Sequence, residues 1–124
     1  MRVAFKNHPL PFHNNAMAAA EAALAAHAQG KFWEMHDKMF ANQQALDGPS
    51  LEKYAQEIGL DVGKFKAALD SNKFDAYITA DSAEGMRVGA NGTPTFFING
   101  RQVVGAQPFE AFKNVIDQEL AKKK

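Results

Sequence analysis

Helix signals fill the middle of this chain, and strand signals are confined to its two ends. Between residues 14 and 90, apolar side chains recur at helical spacing, and Gly30, Gly59 and Gly89 interrupt the pattern. This arrangement predicts four or five consecutive helices without an intervening strand. The chain therefore combines a helical middle with short strands at its ends.

The N-terminal strand is predicted over residues 2–6, where Val3 and Phe5 alternate with more polar or smaller neighbours. Pro9 and Pro11 follow, and neither has an N–H to donate to a sheet. Residues 8–12 are therefore expected to form an extended connector.

The predicted helix boundaries rest on capping residues. Asn14 or Asn15 is expected to cap an alanine-rich helix that ends near Gly30, Ser50 to cap a helix ending before Gly59, and Asp61 to cap the next. A longer helix is expected to end at about Gly89. Helical spacing predicts buried faces made by Phe32, Met35, His36, Met39 and Phe40, then by Phe65, Ala68 and Leu69, and then by Phe74, Tyr77, Ile78 and Met86.

The C-terminal end has the alternation of a hairpin. Residues 95–98 and 102–104 are predicted strands, and Asn99-Gly100 between them is a strong turn signal. Pro108 suits the first turn of a final helix. The apolar stripe of that helix is expected to dock onto a sheet and consists of Phe109, Phe112, Val115, Ile116 and Leu120.

Composition argues against several classes of function. Fourteen basic residues balance fourteen acidic ones in 124 residues, so the formal net charge is zero and no basic face for nucleic acid is indicated. No run of apolar residues is long enough to span a membrane, and the N-terminus lacks the apolar core of a secretion signal. The length predicts a single domain.

The chain contains no cysteine, which excludes disulfides, thiolate metal sites and thiol nucleophiles. None of the histidines, His8, His13, His27 and His36, has a partner at the spacing of a helical zinc site. The acidic residues Glu21, Glu34, Asp37 and Glu84 are expected on exposed helix faces. The residues themselves therefore predict no metal, no cofactor and no catalytic group.

Three segments resemble the DsbA branch of the thioredoxin superfamily. They are the connector over residues 5–13, the run Gly-Thr-Pro-Thr-Phe-Phe-Ile-Asn-Gly over residues 92–100, and Gly-Ala-Gln-Pro over residues 105–108. The resemblance implies an α/β, thioredoxin-like domain over 1–124, with strand and connector in 1–13, a helical insertion in 14–90, and the last strands and helix in 91–124. It also implies a cis bond before Pro94.

The chain departs from that family at its beginning. Family members open with a strand and a helix that starts with Cys-x-x-Cys, whereas this chain opens where their second strand is expected. In the family the first strand lies between the second strand and the strand that follows the cis-proline. The resemblance therefore implies a truncated fold in which residues 2–6 pair directly with residues 95–98, or in which a second chain fills the gap as a homodimer or by strand exchange.

Three functional hypotheses follow from the resemblance. The first is a truncated or cysteine-less member of the DsbA-like protein disulfide oxidoreductase or isomerase family, without thiol redox catalysis of its own. The second is a non-catalytic module that binds an extended or unfolded polypeptide through Thr93, Pro94 and Thr95. The third and weakest is a glutathione-dependent isomerase, whose catalytic serine the resemblance places on a segment that this chain lacks. The resemblance implies a periplasmic or exported location for full-length relatives, whereas no targeting signal is recognised in this sequence.

Overall fold

The computed structural model describes residues 1–122 and contains two compact units, Met1–Ala83 and a second that begins at Glu84. Six helices and two strands make up the described chain. The single domain predicted over residues 1–124 stays a prediction. The elements, in chain order, are α1 (Ala16–Ala28), α2 (Phe32–Ala41), α3 (Gly48–Glu57), α4 (Val62–Asp70), α5 (Asp75–Arg87), β1 (Thr95–Ile98), β2 (Arg101–Val104) and α6 (Phe109–Lys122).

The core of the first unit forms around the alanine-rich α1. Ala22 and Ala26 are fully buried, and their small side chains allow α2, α3 and α4 to approach α1 closely. The larger core residues come from those neighbouring helices. Buried with the α1 alanines are Met35, Leu51, Tyr54, Ala55, Leu60 and Phe65.

Two aspartates cap helices α3 and α4 of this unit. Asp61 accepts a hydrogen bond from the Lys64 N–H at 3.1 Å and caps α4, as the sequence predicts. The cap predicted at Ser50 is wrong. Asp47 caps α3 instead, because its carboxylate accepts from the Ser50 N–H at 3.4 Å and from the Ser50 hydroxyl at 2.6 Å. The helix therefore begins at Gly48 and includes Pro49 in its first turn, ahead of Ser50.

The predicted strand over residues 2–6 is wrong, and so is its direct pairing with residues 95–98. Within residues 1–122 the sheet consists of β1 and β2 alone, and residues 2–6 lie outside it. Val3 and Phe5 remain 71% and 47% exposed. Alternation favours a strand only where a partner strand supplies hydrogen bonds, and none does so here.

A buried polar contact holds the next residues of the N-terminal segment in place. The backbone N–H and the Nδ2 of Asn7 both donate to Asp81 Oδ2 in α5, at 3.1 and 3.0 Å. Asn7 and Asp81 are both buried. Beside them, the Ser82 hydroxyl lies 3.0 Å from Nδ1 of His8. The connector is therefore fixed to α5 by side-chain hydrogen bonds rather than by a strand.

The second unit contains the hairpin and α6. β1 and β2 are antiparallel, and Thr95 lies opposite Val104. The Phe96 ring packs edge-on against Phe112 of α6, with ring centroids 4.7 Å apart. The predicted docking stripe of α6 is thus correct at its centre but wrong at its ends, because Phe109 and Leu120 are exposed.

Three other apolar residues expected to be buried are exposed, namely Phe40, Tyr77 and Met86. Phe40 stacks on His36 of the preceding helical turn, with ring centroids 4.5 Å apart, instead of entering the core. Tyr77 precedes the fully buried Ile78, and one residue rotates a helix by about 100°. No helix in the described part of the chain has the length and hydropathy needed to cross a membrane.

Candidate functional site

The loop that carries Thr93, Pro94 and Thr95 lies at the start of β1. The Thr93–Pro94 peptide bond is cis. Thr93 and Pro94 are exposed, whereas Thr95 is half-buried and its hydroxyl donates to the Gly92 carbonyl at 2.6 Å. The Pro94 carbonyl accepts from the Gly105 N–H at 2.8 Å. The loop is therefore held by β1, by its own Thr95 hydroxyl and by the segment after β2.

The backbone of β1 points alternately to two edges. Hydrogen-bonded pairs alternate with non-hydrogen-bonded pairs in an antiparallel ladder. The Pro94 carbonyl accepts a hydrogen bond from Gly105, so the backbone N–H and C=O groups of Phe96 and Ile98, two and four residues further on, also face β2. The N–H and C=O groups of Thr95 and Phe97 consequently face the opposite edge, where no strand pairs with β1 within residues 1–122. This outer edge of β1 is a row of donors and acceptors available for a further strand.

The two faces of the hairpin differ beside that edge. Phe96 points toward α6, as its contact with Phe112 shows. Alternation places Thr95 and Phe97 on the other face, next to their cross-strand neighbours Val104 and Gln102. Phe97 and Val104 are both exposed. A strand added at the outer edge would therefore meet an apolar side chain on either face.

Charged contacts fix the far end of the hairpin to α6. Arg101 Nη1 donates to Gln118 Oε1 at 2.8 Å and lies 3.4 Å from Glu119 Oε2. Lys122 Nζ lies 3.0 Å from the same Glu119 oxygen. The hydrogen bond from Lys122, and after it the one from Arg101, lowers the pKa of Glu119 below its ordinary value. These contacts hold the end of the hairpin against α6.

The structure also brings together two acidic groups that the sequence did not connect. Glu21 is buried in α1, although it was expected on an exposed face, and Asp75 begins α5. Burial, and after it the negative charge of Asp75, raises the pKa of Glu21. Oε2 of Glu21 and Oδ1 of Asp75 are buried without a hydrogen-bond partner in the described chain. Carboxylate oxygens only accept, so a proton on Glu21 would supply a donor for this pair. No sequence spacing indicated the contact.

The remaining sequence candidates do not form a site. Among residues 1–122 no group of three or more His, Asp or Glu side chains is arranged to hold a metal ion. His8 lies beside Ser82, and Nδ1 of His36 lies 3.0 Å from Asp37. Since the chain contains no cysteine, it has no thiolate to take part in disulfide exchange.

Curated relatives of this chain are bacterial antiporters. The chain is 43% identical over 97 residues to a Na(+)/H(+) antiporter NhaA of Herminiimonas arsenicoxydans, a match that covers 78% of the chain and 16% of the antiporter. It is 37% identical over 122 residues to Na(+)/H(+) antiporter NhaA 3 of Salinispora tropica, covering 98% of the chain and 19% of the antiporter. The chain thus spans less than a fifth of the length of the curated relatives it matches.

Two solved structures share the fold. The thiol-disulfide exchange protein alpha-DsbA2 of Wolbachia pipientis superposes with a TM-score of 0.81 at 22% identity, over 92% of this chain and 63% of that protein. A thioredoxin-like oxidoreductase of Silicibacter pomeroyi superposes with a TM-score of 0.72 at 25% identity, over 96% of this chain and 67% of that one.

The family model agrees with these likenesses. Residues 1–117 match the family described as the DSBA-like thioredoxin domain. The chain has the DsbA-like thioredoxin fold, here mostly helical with a small two-stranded sheet. The expectation drawn from the residues of the hairpin and its flanking segments is thereby confirmed. The chain is a cysteine-free member of the DSBA-like thioredoxin domain family.

Proposed function

We propose that this domain binds an extended polypeptide at the outer edge of β1, beside the Thr93–Pro94 bond. The observation that carries the proposal is the one-sided pairing of β1, which leaves the backbone groups of Thr95 and Phe97 without a ladder partner in the described chain. An edge of this kind accepts a further strand through main-chain hydrogen bonds.

Binding rather than redox catalysis is proposed for this chain because it contains no sulfur nucleophile. Thiol–disulfide exchange requires a thiolate, and no other side chain replaces one. Strand addition requires only backbone groups and space for side chains. Each new hydrogen bond contributes about 0.5–1.5 kcal/mol, so a short strand with apolar side chains would bind with modest affinity.

The side chains beside the edge define the segment that fits it. One face of an added strand would lie next to Phe97, and the other would lie next to Phe96. Both rings are partly exposed. The preferred segment is therefore extended and apolar on both faces, like a core strand exposed in an unfolded polypeptide.

The test uses two substitutions of Phe97. Phe97→Ala removes the ring and keeps the N–H that faces the outer edge, whereas Phe97→Pro removes both. Neither removes a hydrogen bond to β2, because the Phe97 backbone faces away from it. Fluorescence anisotropy with a labelled peptide of alternating Val and Ile, kept soluble by terminal lysines, is expected to show binding about tenfold weaker for Phe97→Pro than for Phe97→Ala. Circular dichroism and thermal unfolding check that both variants fold alike.

Equal peptide affinity in the two variants would contradict the proposal, since the outer-edge N–H would then play no part. Absence of peptide binding by the unmodified chain would contradict it as well. A third substitution, Thr93→Ala, tests the loop itself. It is expected to weaken binding by a smaller factor, because Thr93 is exposed next to the edge but lies outside the ladder.

A second copy of the chain is a competing occupant of the same edge. Residues 2–6 have strand-like alternation and no place in the sheet, and Val3 is exposed. Exchange of this segment onto β1 of another copy would give the homodimer that the sequence predicts. Light scattering after size-exclusion chromatography distinguishes between a second copy of the chain and another polypeptide as the partner of this edge. A dimer that becomes monomeric on deletion of residues 1–5 supports strand exchange, whereas a monomer that binds the peptide supports polypeptide binding.

The region that matches this chain is less than a fifth of each antiporter, so we do not extend the antiporters' transport activity to it. The thiol-disulfide exchange named in the solved relative is also left out, since it needs cysteine. Polypeptide binding is the activity that this chain's own residues support.

A further inference from the structure

An open cavity of about 370 Å³ lies within the first unit, and all the residues that line it fall between Phe5 and Tyr77. Its volume is in the range of small-molecule sites. Rings form much of its wall. The lining residues are Phe5, Asn7, Leu24, His27, Gly30, Phe32, Trp33, Glu34 and Tyr77.

The aromatic residues of this cavity are in contact with one another but not covered. Phe32 packs against Phe5, with ring centroids 5.2 Å apart, and against Trp33, with centroids 4.8 Å apart. Phe5, Trp33 and Tyr77 nevertheless remain about half-exposed. Large rings gathered around one opening commonly mark a binding surface, whereas isolated exposed rings do not.

Among the acidic and basic residues Asp, Glu, Lys and Arg, only an acidic one lines the cavity. Glu34 is the only carboxylate among its lining residues, and no lysine or arginine lines it. Nζ of the nearby Lys31 donates to the Ile58 carbonyl at 2.6 Å, and Lys31 is not among the lining residues. Within residues 1–122 Glu34 has neither a hydrogen bond from another side chain nor an ion pair. Aromatic faces add to the negative potential, because the ring quadrupole is negative above and below its plane.

From this combination we propose that the cavity binds a small organic ammonium ion. The cation would lie against the faces of Trp33 and Tyr77, and Glu34 would supply the opposite charge. The methyl or methylene groups of such an ion would contact Phe5 and Leu24. A quaternary ammonium group suits a wall of rings because it is weakly hydrated and has no N–H that needs an acceptor.

Trp33 is the only tryptophan in the chain and reports directly on the cavity. Choline chloride is titrated at constant ionic strength while tryptophan fluorescence is recorded. Its neutral isostere 3,3-dimethyl-1-butanol, in which carbon replaces the charged nitrogen, is titrated in parallel. Saturable binding of choline is expected, with affinity about tenfold higher than that of the neutral isostere.

Equal binding of the two compounds would overturn the proposal, because the site would then recognise shape and not charge. Absence of a saturable fluorescence change, checked by calorimetry with choline, would overturn it too.

Two exposed residues provide variants that leave the fold intact. Glu34→Gln removes the charge and keeps the size, and is expected to weaken choline binding about three- to tenfold without changing the binding of the isostere. Tyr77→Leu keeps an apolar wall and removes the ring quadrupole, with an expected loss of about two- to fivefold. Glu110→Gln, which changes an exposed acid of α6, is the matched control and is expected to leave choline binding unchanged. Unchanged affinity in both cavity variants would contradict the assignment of the site.

Discussion

The two units of this domain distribute their apolar residues in opposite ways. In Met1–Ala83, α1 to α4 surround a continuous core in which Phe65 is 0% exposed. In the unit that begins at Glu84, α6 has no buried residue among those described, and Phe109 is 73% exposed. The first unit thus encloses a buried core, although Trp33 and Tyr77 stay exposed on its surface, whereas the second presents Phe96 and Phe97 beside an open strand edge.

This difference separates the buried area that stabilises the fold from the strand edge that we propose for binding. Buried apolar area is the main favourable contribution to folding, so the helices of the first unit are expected to dominate the free energy of unfolding. The hairpin and α6 bury little and keep backbone groups available. A strand edge that receives a partner must be left open in the absence of that partner, which lowers local stability.

The largest expected effect is that of Phe65→Ala. Removing a fully buried ring loses its transfer free energy and leaves a cavity, at a cost of about 3–5 kcal/mol. Chemical denaturation followed by circular dichroism at the helical wavelength measures the loss. A cost below about 1 kcal/mol would show that the helical core does not dominate the free energy of unfolding, and would contradict the contrast between the two units.

A smaller effect is expected for Asp81→Ala. The substitution leaves the backbone N–H and the amide of Asn7 without their acceptor in a buried position, which costs about 1–3 kcal/mol. Asp70→Ala, at an exposed position of α4, is the matched control. If the two variants unfold at the same denaturant concentration, the Asn7 contact is not a significant part of the first unit's stability.

Glu21→Gln is expected to stabilise the protein at neutral pH. Because the pKa of Glu21 is raised in the folded state, its favourable contribution is present at low pH and is lost as the pH rises through that raised pKa. At pH 7 the amide avoids a buried charge, and the thermal midpoint is expected to rise by about 3–6 °C.

The pH dependence identifies the cause. The difference in midpoint should shrink as the pH falls toward 4.5, the ordinary pKa of glutamate, because the native Glu21 is then increasingly protonated. Glu110→Gln serves as the exposed control. A difference that is the same at pH 5 and pH 7 would rule out a titrating Glu21 as its origin.

The smallest effect is expected for Phe109→Ser. The ring is largely exposed, so the change in unfolding free energy should stay within about 0.5 kcal/mol. Denaturation under the conditions used for Phe65→Ala gives a direct contrast between the two units. A loss of several kcal/mol would mean that Phe109 is covered in solution, for example by a second copy of the chain.

The sequence by itself determined the kinds of elements and their order from α1 onward, but its strand over residues 2–6 did not form. Helical spacing, the Asp61 cap and the Asn99-Gly100 turn act through neighbours a few residues away, so they can be recognised without a structure. The cysteine count excluded thiol chemistry directly. The segments around Pro94 indicated the family, which the match over residues 1–117 confirms.

Only the tertiary structure decided which side chains are covered and which backbone groups stay open. Phe65 and Tyr77 both have helical spacing, yet only Phe65 is buried, because burial depends on which other helix lies over a given face. The pairing of Glu21 with Asp75 joins helices far apart in sequence and leaves no periodic signal. Likewise, strand alternation in residues 2–6 says nothing about whether a partner strand is within reach. Local patterns specify local conformation, whereas long-range contacts in the folded chain determine its core, its cavity and its open strand edge.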